Sequence, residues 1–270
     1  MYKLLAFDMD DTLLDPNGQL TARTHAALQS AMDAGAYVVL ASGRMPEAMI
    51  AMAEKIGVNA PMVLYNGGMV YDHRTDRTIS RIDISLETAR AILKMAEELG
   101  IYIQVYPGKG YYAAERTKYT DMYENHIKVP CNIIGKPASE WITTGQIKML
   151  MIGEKEDSAR RIEIFSKAFP EVSFMMSKPH YVEIVAKGVD KSYALDAAAK
   201  DMGLTAEECM AFGDGQNDVS MLQYVGAGYC MLNASEGVRA KCSLFAPSNA
   251  EDGCAQVIEK LLAEGMIGKE

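Results

Sequence analysis

Short apolar runs alternate with amphipathic segments along the N-terminal part of the chain. The runs at 4–7, 37–41 and 62–65 are almost uniformly apolar, and each leads into a polar or glycine-containing loop. Segments 21–34 and 46–56 lie between them and place apolar residues at helical spacing. Strand, loop and helix in this order predict a parallel sheet with helical crossovers. Such strands are buried on both faces, which explains why they lack an alternating pattern.

The pattern changes near residue 83. A predicted helix followed by two β-rich runs occurs twice, at 87–99, 102–106 and 111–115, and again at 157–168, 172–176 and 180–185. The two halves share this order but not their sequences. We interpret them as a loose helix–hairpin repeat within a second domain of the α+β type.

From about residue 188 the first pattern returns, with helices at 191–202 and 252–264 and apolar runs at 209–212, 228–232 and 244–246. The second domain is therefore predicted to be inserted into the first. The predicted fold is α/β: residues 1–82 and 188–270 form a Rossmann-like parallel-sheet core, and residues 83–187 form the insert.

Net charge separates the two parts. The chain has 270 residues, of which 27 are Lys or Arg and 36 are Asp or Glu, giving a formal charge of −9. The insert holds 14 residues of each sign, so the other 13 basic and 22 acidic residues place all the excess charge on the core. A protein this acidic is not expected to bind nucleic acid, because that surface must neutralise phosphates.

Apolar run length and cysteine usage bear on location. The longest apolar runs, such as 36–41, are far shorter than the ~20 residues that span a bilayer. Asp8 comes too early for a signal peptide, and the five cysteines form no CxxC pair. We expect a cytoplasmic protein with free thiols and no membrane partner.

Acidic residues follow two of the predicted core strands: Asp8, Asp10 and Asp11 after 4–7, and Asp214 and Asp218 after 209–212. Parallel α/β sheets bind ligands beyond the carboxyl ends of their strands. Crowded carboxylates repel one another unless a cation joins them, and hard oxygen ligands favour Mg²⁺ over zinc. Taken alone, each acidic turn is also typical of a solvated loop.

A serine and a lysine also lie at the ends of predicted core elements. Ser42 and Gly43 follow the predicted strand at 37–41, where a hydroxyl and backbone N–H groups are able to hold phosphate oxygens. Lys191 begins a predicted helix, where its charge opposes the helix dipole unless an anion lies nearby. The alternatives are an ordinary strand-to-helix turn and a solvated surface lysine.

Together these segments resemble the four motifs of the haloacid dehalogenase superfamily: Asp8-Met9-Asp10-Asp11-Thr12-Leu13, Ser42, Lys191 and Gly213-Asp214-Gly215-Gln216-Asn217-Asp218. The insert between the second and third motifs resembles the Cof-type branch, whose α/β cap lies there. The resemblance implies that residues 83–187 form a cap that confers substrate specificity. Asp11 departs from the pattern, because glycine is more usual there, and this affects the expected shape of the loop.

The resemblance also implies catalytic roles. Asp8 would be the nucleophile that forms an aspartyl-phosphate. Asp10 would protonate the leaving oxygen and later deprotonate the attacking water. Ser42 and Lys191 would neutralise the transferring phosphoryl group, with the backbone N–H of Gly43 assisting.

The remaining implied roles concern Mg²⁺ and the substrate. The implied metal ligands are Asp8, the backbone carbonyl of Asp10, Asp214 and Asp218. The implied substrate-binding residues are Thr12, Gly43, Arg44 and Asn217. For Thr12, bracing of the loop through its hydroxyl is the main expectation, with contact to phosphate as the alternative.

The favoured function is Mg²⁺-dependent hydrolysis of small phosphorylated metabolites. Sugar phosphates come first by resemblance, while pyridoxal phosphate, flavin mononucleotide and nucleotides stay open. The alternatives are a phosphotransferase or mutase of the same superfamily, a receiver-like signalling protein that retains its phosphoryl group, and a catalytically silent metabolite-binding protein. The expected partner is a small phosphorylated metabolite, and the expected assembly is a monomer or a homodimer.

Overall fold

The chain folds into two compact units in a computed structural model that describes residues 1–268. The first unit contains residues 1–44, 49–80 and those from 190 onward. The second contains residues 45–48 and 81–189. The class is α/β, with a parallel-sheet core and an inserted α+β part, as predicted. The role of residues 83–187 as a cap stays a prediction.

The strands of residues 1–268 are numbered in chain order: β1 (Leu4–Phe7), β2 (Tyr37–Leu40), β3 (Met62–Leu64), β4 (Met69–Asp72), β5 (Arg77–Arg81), β6 (Ile103–Tyr106), β7 (Tyr112–Ala113), β8 (Asn132–Ile133), β9 (Lys148–Ile152), β10 (Val172–Lys178), β11 (Tyr181–Ala186), β12 (Cys209–Gly213), β13 (Ala227–Met231) and β14 (Leu244–Ala246).

The α-helices of the same residues are α1 (Ala22–Asp33), α2 (Pro46–Ile56), α3 (Leu86–Glu98), α4 (Lys118–Ile127), α5 (Ala138–Trp141), α6 (Ser158–Ala168), α7 (Lys191–Asp201), α8 (Val219–Tyr224), α9 (Glu236–Arg239) and α10 (Gly253–Ala263). Helix α2 begins at Pro46, whose fixed φ suits the first helical position. None of these helices has the length and apolar character required to cross a membrane.

The first unit is built around a five-stranded parallel sheet in the order β14-β13-β12-β1-β2. Strand β1 is an interior strand and is fully buried, which matches its unbroken apolar sequence. It pairs with β12 on one side and β2 on the other, with Phe7 opposite both Phe212 and Leu40. The loops that follow these three strands therefore leave the sheet at the same edge.

The position of strand β3 differs from the prediction. We expected it to continue the parallel core. It does run parallel to β2, but the two join only through a single bridge between Ala41 and Val63, so β3 is not a strand of the five-stranded sheet. It then pairs antiparallel with β4 in a separate three-stranded sheet of order β3-β4-β5. Strands β4 and β5 were not predicted from the sequence, because the turn between them contains no glycine and β5 is largely polar.

The second unit contains a six-stranded sheet in the order β10-β11-β9-β6-β7-β8. Helices α3 and α6 each precede a pair of strands, so the predicted helix–hairpin order occurs twice. One apolar cluster includes Ile92 and Leu93 of α3, Phe165 of α6 and Ile184 of β11. The central strand β9 and helix α4 were not predicted from the sequence.

A buried ion pair links two strands of this sheet. The Nζ atom of Lys148 lies 3.2 Å from a carboxylate oxygen of Glu183, and their side chains are 3% and 10% exposed. Burial acts to lower the pKa of Lys148, but the carboxylate of Glu183 raises it above its ordinary value. The ammonium also lies 5.3 Å from the ring centre of Tyr106.

Replacing Lys148 alone should destabilise the second unit strongly, because Lys148→Met removes the ammonium that pairs with the buried carboxylate of Glu183. We expect a loss of about 3–5 kcal/mol in the free energy of unfolding, measured by urea denaturation, and recovery of most of it in Lys148→Met with Glu183→Leu. Lys167→Met breaks an exposed pair with Glu163 and should leave stability unchanged. Equal effects of Lys148→Met and Lys167→Met would show that the buried pair contributes no more than the exposed one.

Candidate active site

The candidate site begins where β1 and β12 end side by side. The backbone N–H of Asp8 donates to the carbonyl of Phe212 at 3.0 Å, which extends the ladder between the strands by one residue. The rings of Phe7 and Phe212 stack with centres 4.9 Å apart, directly before the two acidic loops. This register brings Asp8 and the loop that carries Asp214 together from opposite ends of the chain.

Three carboxylates converge at this edge. Asp8, Asp214 and Asp218 each offer an oxygen atom, and these atoms all lie within 4.8 Å of one another. Asp218 also shapes its own loop, because its Oδ2 accepts hydrogen bonds from the backbone N–H groups of Asp214 (3.1 Å) and Gly215 (2.8 Å). A Cβ atom on Gly213 would lie 2.5 Å from that of Asp218, so only glycine allows this close approach.

Lys191 places its ammonium among these acids. Its side chain is fully buried and donates hydrogen bonds to Asp8 and, at 2.6 Å, to Asp218. Burial alone would lower the pKa of Lys191, but Asp218 and Asp8 raise it above its ordinary value, so the ammonium stays charged. The preceding residue, Asp190, caps helix α7 by accepting from the backbone N–H groups of Ser192 and Tyr193.

Asp8 and Asp214 lie in an environment that disfavours their charged forms. Burial, and to a smaller extent Asp218, raises the pKa of Asp8, while Lys191 opposes the shift. Burial also raises the pKa of Asp214 to about 6, although the hydroxyl of Thr12 donates a 2.6 Å hydrogen bond that acts the other way. The contact shows that Thr12 braces Asp214, as expected, and its contact with substrate stays a prediction.

The donor set fits a divalent cation. Three carboxylates face one ammonium, so the cluster has excess negative charge when all three acids are ionised. Carboxylate oxygens are the ligands that Mg²⁺ prefers, and a bound cation would offset the repulsion among the three carboxylates. Asp8, Asp214 and Asp218 are the side chains that could hold it.

The carboxylate of Asp10 points elsewhere. It accepts two hydrogen bonds from Arg44, at 2.6 Å and 3.2 Å, and is 57% exposed. The structure therefore does not bring the side chain of Asp10 into the acidic cluster. The guanidinium of Arg44 is paired with Asp10 of the same chain. The predicted metal contact of Asp10, through its backbone carbonyl, and the predicted substrate contact of Arg44 stay predictions.

Ser42, Gly43 and Asn217 meet around a residue that the sequence analysis missed. Ser42 is buried, and its Oγ accepts from the backbone N–H of Arg44 at 3.2 Å. Asn217 donates from Nδ2 to Oδ1 of Asn66 at 3.2 Å. A Cβ atom on Gly43 would lie 2.9 Å from Nδ2 of Asn66. The available signal for Asn66 was an Asn-Gly pair directly after a buried strand.

Two further asparagines hold the turn after β1. Asn233 donates to the carbonyl of Asp11 at 2.7 Å and accepts from the backbone N–H of Asn249 at 3.1 Å. Asn249 in turn donates to the carbonyl of Leu14 at 2.8 Å. Asp11 has φ of 62°, a left-handed conformation that aspartate tolerates better than most residues. This conformation explains why glycine would also suit the position.

Comparisons with known proteins extend the resemblance over the whole chain. Residues 5–258 match the family described as haloacid dehalogenase-like hydrolase. The Streptococcus pyogenes protein M6_Spy0533 is 30% identical over 265 residues, covering 96% of this chain and 97% of the relative. An HMP-PP phosphatase of Yersinia pseudotuberculosis is 28% identical over 240 residues, covering 87% and 85%. The crystal structure of TM0651 from Thermotoga maritima, 30% identical, matches with a TM-score of 0.88 over 96% of this chain and 97% of that one.

The chain therefore belongs to the haloacid dehalogenase-like hydrolases, and it is a phosphatase of that family. The resemblance inferred from the four motifs and the predicted class of enzyme are confirmed.

The raised pKa of Asp214 gives a test of the cluster without a metal. The folded protein binds a proton on Asp214 with a pKa of about 6 against an ordinary 3.8, so this group makes stability fall as pH rises through that interval. In EDTA, the free energy of unfolding of Asp214→Asn should rise relative to that of the wild type by on the order of 2 kcal/mol between the lower and the upper end of this pH interval. Urea denaturation across that range measures the difference, and parallel curves would contradict it.

Proposed function

We propose that the protein hydrolyses small phosphate monoesters with Asp8 as the nucleophile and Mg²⁺ as the cofactor. The supporting observation is the cluster of Asp8, Asp214 and Asp218 around the buried ammonium of Lys191. Asp8, Asp214, Asp218 and the backbone carbonyl of Asp10 hold the ion. When bound, Mg²⁺ supplies positive charge that favours the ionised form of Asp8 and offsets the charge of the phosphate.

The residues divide the reaction into two displacements. An oxygen of Asp8 attacks phosphorus and forms an aspartyl-phosphate, while the bond to the leaving oxygen breaks and that oxygen takes a proton from Asp10. Asp10 then removes a proton from water, which attacks the same phosphorus. The bond to Asp8 breaks, inorganic phosphate leaves and both acids return to their starting states.

Lys191 and the turn after β2 bind the transferring group. The ammonium of Lys191 lies beside Asp8 and balances charge on the phosphoryl oxygens as they approach the carboxylate. The hydroxyl of Ser42 and the backbone N–H of Gly43 donate to the same oxygens, and Asn217 supports them. Arg44 is free to exchange its pairing with Asp10 for a contact to an anionic substrate.

The substrate class rests on family relationships and on the insert. The relative named HMP-PP phosphatase supports a small phosphorylated molecule, and among such molecules we place sugar phosphates first. The neutral charge of residues 83–187 suits a cap that selects the organic part of the substrate while the acidic core binds the metal. A screen of phosphorylated metabolites with Mg²⁺, ranked by kcat/KM, identifies the preferred class.

Asp8→Asn should abolish phosphate release without unfolding the protein. The amide keeps the size of the side chain and carries no charge to bury, but it lacks the nucleophilic oxygen. We expect a fall in kcat of at least about 10³-fold with an unchanged circular dichroism spectrum. Asp33→Asn makes the same chemical change on an exposed part of α1 and should retain full activity.

The same assay tests the cofactor. EDTA should eliminate activity in the wild type, and excess Mg²⁺ should restore it, because the cluster cannot hold its three negative charges near a phosphate otherwise. Phosphate release by Asp8→Asn at the wild-type rate would rule out the proposed nucleophile. Persistence of activity in EDTA would rule out the proposed cofactor.

A further inference from the structure

The turn between β3 and β4 has an unusual backbone. Three consecutive residues, Tyr65, Asn66 and Gly67, have φ values of 54°, 55° and 104°. Glycine adopts such angles freely, but a tyrosine there is strained, and Tyr65 is fully buried. Strain of this kind persists only where the surroundings hold it in place, and it concentrates at functional sites.

The surroundings on one side are the turn that carries Ser42. The backbone N–H of Asn66 donates to the carbonyl of Ser42 at 3.1 Å, and that of Tyr65 donates to the carbonyl of Arg44 at 3.2 Å. The carboxamide of Asn66 occupies the space that a side chain on Gly43 would need. The two turns therefore pack as one unit, with Asn66 directly against the residue whose N–H faces the phosphate in the proposed mechanism.

On the other sides, the turn meets the loops of the remaining motifs. Oδ1 of Asn66 accepts from Nδ2 of Asn217 at 3.2 Å. A Cβ atom on Gly67 would lie 2.0 Å from the carbonyl oxygen of Asp190, the residue that caps the helix carrying Lys191. A turn outside the four motifs thus touches the second, third and fourth of them.

We propose that Asn66 is a positioning residue that holds the phosphate-binding turn at Ser42 and Gly43 in register with Asn217. This inference rests on the proposed function, because it assigns Asn66 to the same reaction. The strained backbone presents the carboxamide between the two loops, and the hydrogen bond to Asn217 joins them. Asn66 acts through these neighbours and has no contact with the reacting atoms.

Asn66→Gly tests the contribution of the side chain independently of the backbone conformation. Glycine accepts the left-handed conformation without strain, so the turn is kept and only the carboxamide is lost. We expect kcat/KM to fall by about 10- to 100-fold, because small misplacements of phosphate-binding groups are costly. The inhibition constant of inorganic phosphate, measured with Mg²⁺, should rise at least about fivefold, which a loss of folded enzyme alone would not cause.

Asp76→Gly is the matched control. Asp76 also has a left-handed backbone, with φ of 52°, but it lies exposed in the β4–β5 turn. This variant should keep the kinetic constants and the phosphate inhibition constant of the wild type. Both variants should stay folded, with a single unfolding transition above the assay temperature, because glycine accepts the left-handed backbone at either position.

A double-mutant cycle tests the link to Asn217. Asn217→Ala and Asn66→Gly should each raise the phosphate inhibition constant, and the double variant should raise it by clearly less than the product of the two changes. Independent effects that multiply, or wild-type kinetics and phosphate inhibition in Asn66→Gly, would overturn the proposal. The wild-type assay and Asp8→Asn decide the proposed function separately, so an active wild type with an active Asn66→Gly removes only this inference.

Discussion

The site depends on the containment of negative charge away from water. Asp8 and Asp218 both bond to the fully buried ammonium of Lys191, and Asp214 lies close enough to share a cation with them. One ammonium cannot balance three carboxylates, so the fold adds other donors. Backbone N–H groups of the 213–218 loop donate hydrogen bonds to Asp218, and the hydroxyl of Thr12 donates one to Asp214. The same deficit of positive charge makes the site suitable for a divalent ion.

Most core elements could be predicted from the sequence because their causes are local. An unbroken apolar run specifies β1, Thr21 caps α1, and Pro46 begins α2. The position of β3 could not be predicted from its local sequence. Its apolar sequence suits a parallel core strand equally well, and its pairing with β4 depends on the turn at 65–68, where Tyr65 and Asn66 adopt left-handed conformations although neither is a glycine.

The same distinction between local and long-range causes applies to the residues of the candidate site. Asp8 and Asp214 could be placed together because each follows a buried strand, and parallel strands end at a common edge. The pairing of Arg44 with Asp10 and the link from Asn217 to Asn66 depend on side chains 34 and 151 residues apart in sequence. Such contacts leave no periodic trace, so only the three-dimensional structure reveals them.

The interrupted order of the first unit has a consequence for how the protein evolves. The four charged side chains of the cluster, Asp8, Lys191, Asp214 and Asp218, lie in residues 1–44 or beyond 190, outside the insert. Under the proposed function, substitutions within residues 83–187 can therefore change which organic group is recognised while the charged cluster stays the same. On that proposal, a lineage with this arrangement is able to acquire new substrates while it keeps the same residues for phosphoryl transfer.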